Sequence, residues 1–220
     1  MNYIDKFKEY PLTYTLMAIS IVMFILGQLS ASLYEYLYLN GVLHGHSVVM
    51  RGELYRLFTS IFLHADAMHI VMNMLSLYIV GTMVEKIFTK SAYLGIYVAS
   101  ALFGSFTSIY MHLGSQAVGA SGAIFGLFGA LAGFAFVHRI TMRNQFISFM
   151  KNFGVILLIN LVIGFVFPSI DVSAHVGGLV AGMVGGFVIA KSPQYLWIYL
   201  ALSLLLLWLS YGYLTGLYAG

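Results

Sequence analysis

Three short segments of this chain hold side chains suited to hydrolytic chemistry. Gly119-Ala120-Ser121-Gly122 puts a serine at the start of an apolar run, and Ala174-His175-Val176-Gly177-Gly178 puts a histidine at the start of another. A serine hydroxyl is a weak nucleophile until a base takes its proton. A neutral imidazole can take that proton and return it to a leaving group. His64-x4-His69-x3-Asn73 adds further polar side chains, and His69 and Asn73, at i and i+4, project from one face of a helix. Two donors on one face suit the oxyanion of an acyl-transfer intermediate, where each contributes roughly 3 kcal/mol. Three histidines also raise a zinc reading, but His69-Ile-Val-Met-Asn73 lacks the acid of a His-Glu-x-x-His site. The zero cysteine count removes thiolate ligands and thiolate nucleophiles. The expected chemistry is serine-based, with no metal and no cofactor.

The elements that must position these residues are membrane helices. The 220 residues are 61% hydrophobic and 8% charged, far from the roughly one-quarter charged residues of soluble domains. Apolar runs at Leu12–Leu29, His69–Phe88, Ala92–Met111, Gly119–Val137, Phe153–Phe167, Val172–Ala190 and Tyr195–Leu214 approach the ~20 residues that span a bilayer. The fold class is therefore all-α: a polytopic membrane bundle of seven spans in one domain over residues 1–220, with a core at 12–190 and an added helix at 195–214. The fifth span is short and must tilt, thin the bilayer or extend back through Met150 and Lys151. Lys6 and Lys8 precede the first run as in a signal peptide, but its length and the spans that follow predict a retained anchor. The segment from Ser30 to Leu63 mixes aromatic and polar residues and predicts short interfacial helices.

Loop charge orients the bundle. Lys6, Lys8, Lys86, Lys90, Arg139, Arg143, Lys151 and Lys191 fall on one side, against Arg51 and Arg56 on the other, which predicts a cytoplasmic amino terminus. His69, Ser121 and His175 then lie near the outer ends of the second, fourth and sixth spans. Three polar residues share one depth, although the topology took no account of serine or histidine. A net charge of +3 without basic clusters interleaved with aromatics argues against a nucleic-acid partner.

Glycines supply a route for the serine and histidine to meet. Gly122, Gly126, Gly129 and Gly133 form a stripe on the fourth span, answered by Gly178, Gly182 and Gly186 on the sixth, where His175 begins the same face. Such stripes are ordinary packing devices, which does not compete with a catalytic role for the residues beside them. Asp171, four residues before His175, could orient it as a third member of a triad. Arg56 and Glu85 are costly near or in a membrane and read as structural, Glu85 pairing with Lys86 or capping a neighbouring helix. His64 reads as holding the loop or a water near the site, and His112 and His138 as interfacial.

These ordered motifs resemble the rhomboid family of intramembrane serine proteases. The resemblance rests on His64-x4-His69-x3-Asn73, Gly119-x-Ser121-Gly122 and Ala174-His175-x-x-Gly178-x-x-x-Gly182, with Glu53-x-Tyr55-Arg56 and Gly81-x-x-x-Glu85 beside them. It implies a six-helix core, a Ser121/His175 dyad, and an oxyanion hole from His69, Asn73 and the Ser121 N–H. It also implies substrates that are single membrane helices, cut near the outer face in the lipid bilayer, with no cofactor. Three features depart from the family pattern. Tyr55 stands where tryptophan is usual, Phe125 stands where many members have tyrosine beneath the histidine, and the seventh span lies beyond the core. The fifth span, ended by Pro168, is the candidate lateral gate. An inactive helix-binding relative and a proton-relaying transporter are the rival readings, and the charge bias favours a bacterial-type plasma membrane with the site facing outward.

Overall fold

A computed structural model describes residues 8–166 and 170–218. Its long helices are α1 (Pro11–Leu29), α5 (Ala67–Ile87), α6 (Lys90–Met111), α7 (Ser121–Val137), α8 (Arg143–Val166), α9 (Val172–Lys191) and α10 (Leu196–Tyr218). Three shorter ones, α2 (Ala31–Gly41), α3 (Gly45–Arg51) and α4 (Arg56–Thr59), fill the segment after α1, as the aromatic–polar mixture predicts. Among the described residues five of the long helices are long and apolar enough to cross a membrane; α7, at 17 residues, is shorter. The result is an all-α polytopic membrane bundle.

Side-chain caps set where several helices start. Asp66 accepts from the His69 N–H at 2.8 Å and starts α5. Thr89 accepts from Ala92 and starts α6, and Asp171 accepts from Ala174 at 3.0 Å and starts α9. Helix α1 has Pro11 in its first turn, and its free Leu12 and Thr13 N–H groups both donate to Glu85, each at 2.8 Å. Glu85 is thus a cap delivered from another helix, as one of the two sequence readings holds. The other, pairing with Lys86, is corrected: Lys90 lies 2.8 Å from the carboxylate. Adjacent residues on a helix point some 100° apart, whereas Lys90 opens α6 where that helix meets the end of α5.

Two further features differ from the sequence expectation. Helix α8 begins at Arg143, ten residues before the apolar run and further back than the extension through Met150 and Lys151 that its short span allows, so Arg143 is helical rather than in a loop. No proline interrupts Arg143 to Phe153, and Phe149 stacks on Phe153 at 5.4 Å, so the helix propagates through its polar start. Pro168 lies outside the described residues. The second feature is a two-residue antiparallel ladder, β1 (Leu43–His44) with β2 (Gln116–Ala117), pairing Leu43 with Ala117 and His44 with Gln116. It ties the segment after α2 to the one leading into α7.

Helix α7 sits at the centre, with most residues from Gly122 to Gly133 buried, and α6 and α9 pack along it. The core around α6 includes fully buried Tyr93, Ile96 and Tyr97. Helix α10 lies outside against α6, burying Leu207 and Leu214 while Leu202, Leu204, Leu205 and Leu206 stay exposed. Within this run Leu207 and Ser203 turn inward.

Candidate active site

Ser121 is the first residue of α7, and Gly119 sets the turn before it. Gly119 has φ 120°, a conformation that favours glycine, and its N–H donates to the Ser60 carbonyl at 2.9 Å. A Cβ at this position would also stand 2.7 Å from His69 Nε2, so the missing side chain makes room for the His69 ring. At 17 residues α7 rises only about 25 Å, less than a ~30 Å hydrocarbon core. A serine at its start can therefore lie below the membrane surface.

The Asp171 cap starts α9 just ahead of His175. His175 Nε2 lies 2.8 Å from Ser121 Oγ, and both side chains are half-buried. Phe125, one turn along α7 from Ser121, stacks on the imidazole with centroids 4.3 Å apart and planes 9° apart. The ring is thus held on one face by an aromatic plane and at one edge by the hydroxyl.

Close approach of the two helices depends on the glycine stripes. A methyl group on Gly178 would collide with the Gly122 carbonyl, one on Gly182 with that of Gly126, and one on Gly186 with that of Ala130. The reverse holds for Gly129 against Leu179 and Gly133 against Met183. The sequence reading missed a third wall. A Cβ on Gly104 of α6 would stand 2.8 Å from the Ala174 carbonyl, and Ser100 of α6 fills the space beside Gly126. Its signal was present: Ser100, Gly104 and Ser108 recur at intervals of four, the spacing of a small-residue face.

His69 lies against Gly119, two residues before the serine. Asn73, buried one turn along α5, donates from Nδ2 to the His69 carbonyl at 2.9 Å, and its Oδ1 is buried without a partner among the described residues. His64 meets His69 edge-on, centroids 5.1 Å apart, and its ring nitrogens are buried. Burial, reinforced by His69, pushes His64 down to about 4. Arg56 is buried, donates to the Val42 carbonyl at 3.0 Å and pairs with Glu53, pinning the loop that carries β1. Tyr55 is exposed beside the guanidinium, 5.6 Å from ring centre to Cζ. The Asp171 carboxylate accepts from Ala174 N–H and the Ser173 hydroxyl; among the described residues no hydrogen bond joins it to the His175 ring.

The model of the Rhomboid domain matches residues 51–192. The chain belongs to the rhomboid family. The matched stretch of this rhomboid holds Arg56, His64, His69, Asn73, Ser121 and His175 and leaves α10 outside it. RHOMBOID-like protein 1 of Arabidopsis thaliana is 37% identical over 70% of this chain and 39% of its own length. Rhomboid protease GluP of Bacillus subtilis is 38% identical over 77% of this chain and 33% of its own length. The rhomboid thus spans well under half the length of these two relatives. YdcA of Bacillus subtilis is 27% identical over 88% of this chain and 96% of its own length.

Proposed function

We propose that this rhomboid is an intramembrane serine protease that cuts single membrane helices through a Ser121/His175 dyad. The observation that carries the reading is the 2.8 Å contact between Ser121 Oγ and His175 Nε2 on helices held together by glycine. With its proton on Nδ1, His175 accepts the Ser121 proton at Nε2 as Oγ attacks a peptide carbonyl. It then donates that proton to the leaving amine, and water resolves the acyl-enzyme by the reverse sequence. The oxyanion is met by the Ser121 N–H, the His69 side chain and the second Asn73 Nδ2 hydrogen. Asp171, engaged as a helix cap, acts through the start of α9 and not as a triad member.

A substrate helix hides its carbonyls in internal hydrogen bonds, so it must unwind locally, which Gly or Pro near the cut favours. The Lys/Arg bias supports a cytoplasmic amino terminus and a Ser121 that faces the outer side of a bacterial-type plasma membrane. The deciding experiment is mass-spectrometric labelling with a serine-directed fluorophosphonate. Ser121 is labelled in the wild type and not in His175→Ala, and Ser121→Ala abolishes cleavage of a reconstituted membrane-helix substrate. A transport activity that survives Ser121→Ala with no peptide cut would refute the reading.

A further inference from the structure

At the end of the bundle remote from Ser121, two cations rest on aromatic rings that touch each other. The Arg139 guanidinium lies 4.4 Å over the Phe136 ring, and the Lys191 ammonium lies 4.3 Å over the Phe187 ring. The rings come from different helices, α7 and α9, and their centroids are 6.0 Å apart. Each cation–ring pair alone is a local i,i+3 or i,i+4 contact. The ring–ring contact is not local, because the last contacts of the glycine seam impose it: Gly133 closes on Met183 and the Phe187 backbone, and Gly186 on Ala130. Helix packing therefore fixes the relation between the two cations.

Among the described residues neither cation has an ion-pair partner. Among the described residues the ion pairs use Arg51, Arg56 and Lys90, and Glu85, the carboxylate at this end of α5, is taken by Lys90 and the start of α1. The Arg139 guanidinium makes one hydrogen bond, from Nη1 to the Phe136 carbonyl at 2.9 Å. Among the described residues its remaining donors and the Lys191 ammonium have no further partner, while Phe136 beneath the guanidinium is 49% exposed. An arginine fork and a lysine at the helix ends, above an exposed apolar ring, complement a ligand with anionic oxygens at one end and hydrocarbon at the other.

We propose that Arg139 and Lys191, carried on the Phe136–Phe187 pair, bind the phosphate of an anionic phospholipid in the leaflet remote from Ser121, with an acyl chain along Phe136. The site differs from the serine–histidine site and does not depend on its chemistry. Each cation near a membrane surface strengthens attachment of an anionic lipid by about fivefold.

Native mass spectrometry of the full chain in detergent, titrated with phosphatidylglycerol, phosphatidylcholine or inorganic phosphate, tests the proposal. Phosphatidylglycerol is expected to be retained at least tenfold more strongly than phosphatidylcholine, and Arg139→Gln with Lys191→Gln removes most of that preference. Lys86→Gln, which removes a charge from the same end of the bundle but outside the pair, is expected to leave it. The single variants, each expected to lose about fivefold, decide the matter should the double variant not fold. Equal loss in Lys86→Gln and in the double variant overturns the proposal, as does displacement of the lipid by an equal concentration of inorganic phosphate.

Discussion

Replacing Gly178 with alanine tests whether helix spacing positions the dyad. The added Cβ would meet the Gly122 carbonyl oxygen in hard collision, its carbon at 2.8 Å and the Gly122 Cα at 3.2 Å. Ordinary carbon–carbon contact needs ~3.5–4.0 Å, so α9 must withdraw from α7 by about 1 Å. The obstacle is backbone and cannot rotate away. His175 stands three residues before Gly178 on the same face, and Ser121 adjoins Gly122, so the withdrawal acts directly on their contact. Starting from 2.8 Å, the Ser121–His175 separation then passes the limit of a hydrogen bond. Overpacking of this kind costs about 1–3 kcal/mol in stability, and a 1 Å displacement of a catalytic group costs roughly 100-fold in turnover. The assay is cleavage of a single-span substrate in proteoliposomes, with thermal melting measured alongside. Gly212→Ala on α10 is the control, since a Cβ there meets nothing within 4 Å. It should leave turnover unchanged and raise stability by about 0.5–1 kcal/mol through helix propensity. Turnover within threefold of wild type in Gly178→Ala, with Ser121→Ala inactive, would refute the claim that glycine contacts set the dyad distance.

Phe125→Leu stays apolar but loses the stack on His175, worth about 0.5–1.5 kcal/mol, and should lower turnover by up to roughly tenfold with a loss of stability of about the same 0.5–1.5 kcal/mol in melting. Glu85→Gln removes the charge shared with Lys90 and one acceptor for the α1 donors. Because the Lys90 left behind is half exposed, the loss is that of charge-assisted hydrogen bonds, and thermal melting should show about 1.5–3 kcal/mol, while fluorophosphonate labelling of Ser121 persists below the transition. His64, near 6.5 when unfolded and about 4 in the native protein, binds fewer protons folded than unfolded between those values. Stability should therefore fall as pH drops from 6.5 to 4, by up to roughly 3 kcal/mol, and His64→Phe should flatten that part of a melting-versus-pH curve.

The Ser121–His175 contact was legible in the sequence because two independent signals met on it. Lysine and arginine bias predicted a common depth for Ser121 and His175, and glycine stripes at helical spacing predicted the faces that touch. The short ladder between Leu43–His44 and Gln116–Ala117 carried no such signal, since two residues cannot display a period. Nor did the start of α8, where polar residues continue a helix that the apolar run alone does not mark. The Glu85 site is the instructive middle case. Hydropathy presents it as a lone acid in an apolar helix, and its partners Leu12 and Thr13 lie 73 and 72 positions away. Counting orphan donors narrows the search. Pro11 begins a membrane helix, no side chain at Tyr10 caps it, and its next two N–H groups cannot remain unpaired in hydrocarbon. The topology puts the start of the first span and the end of the second on the same side, where Glu85 is the acid carried at the end of that span. An uncapped helix start and an unassigned carboxylate at one depth together specify a contact that neither pattern specifies alone.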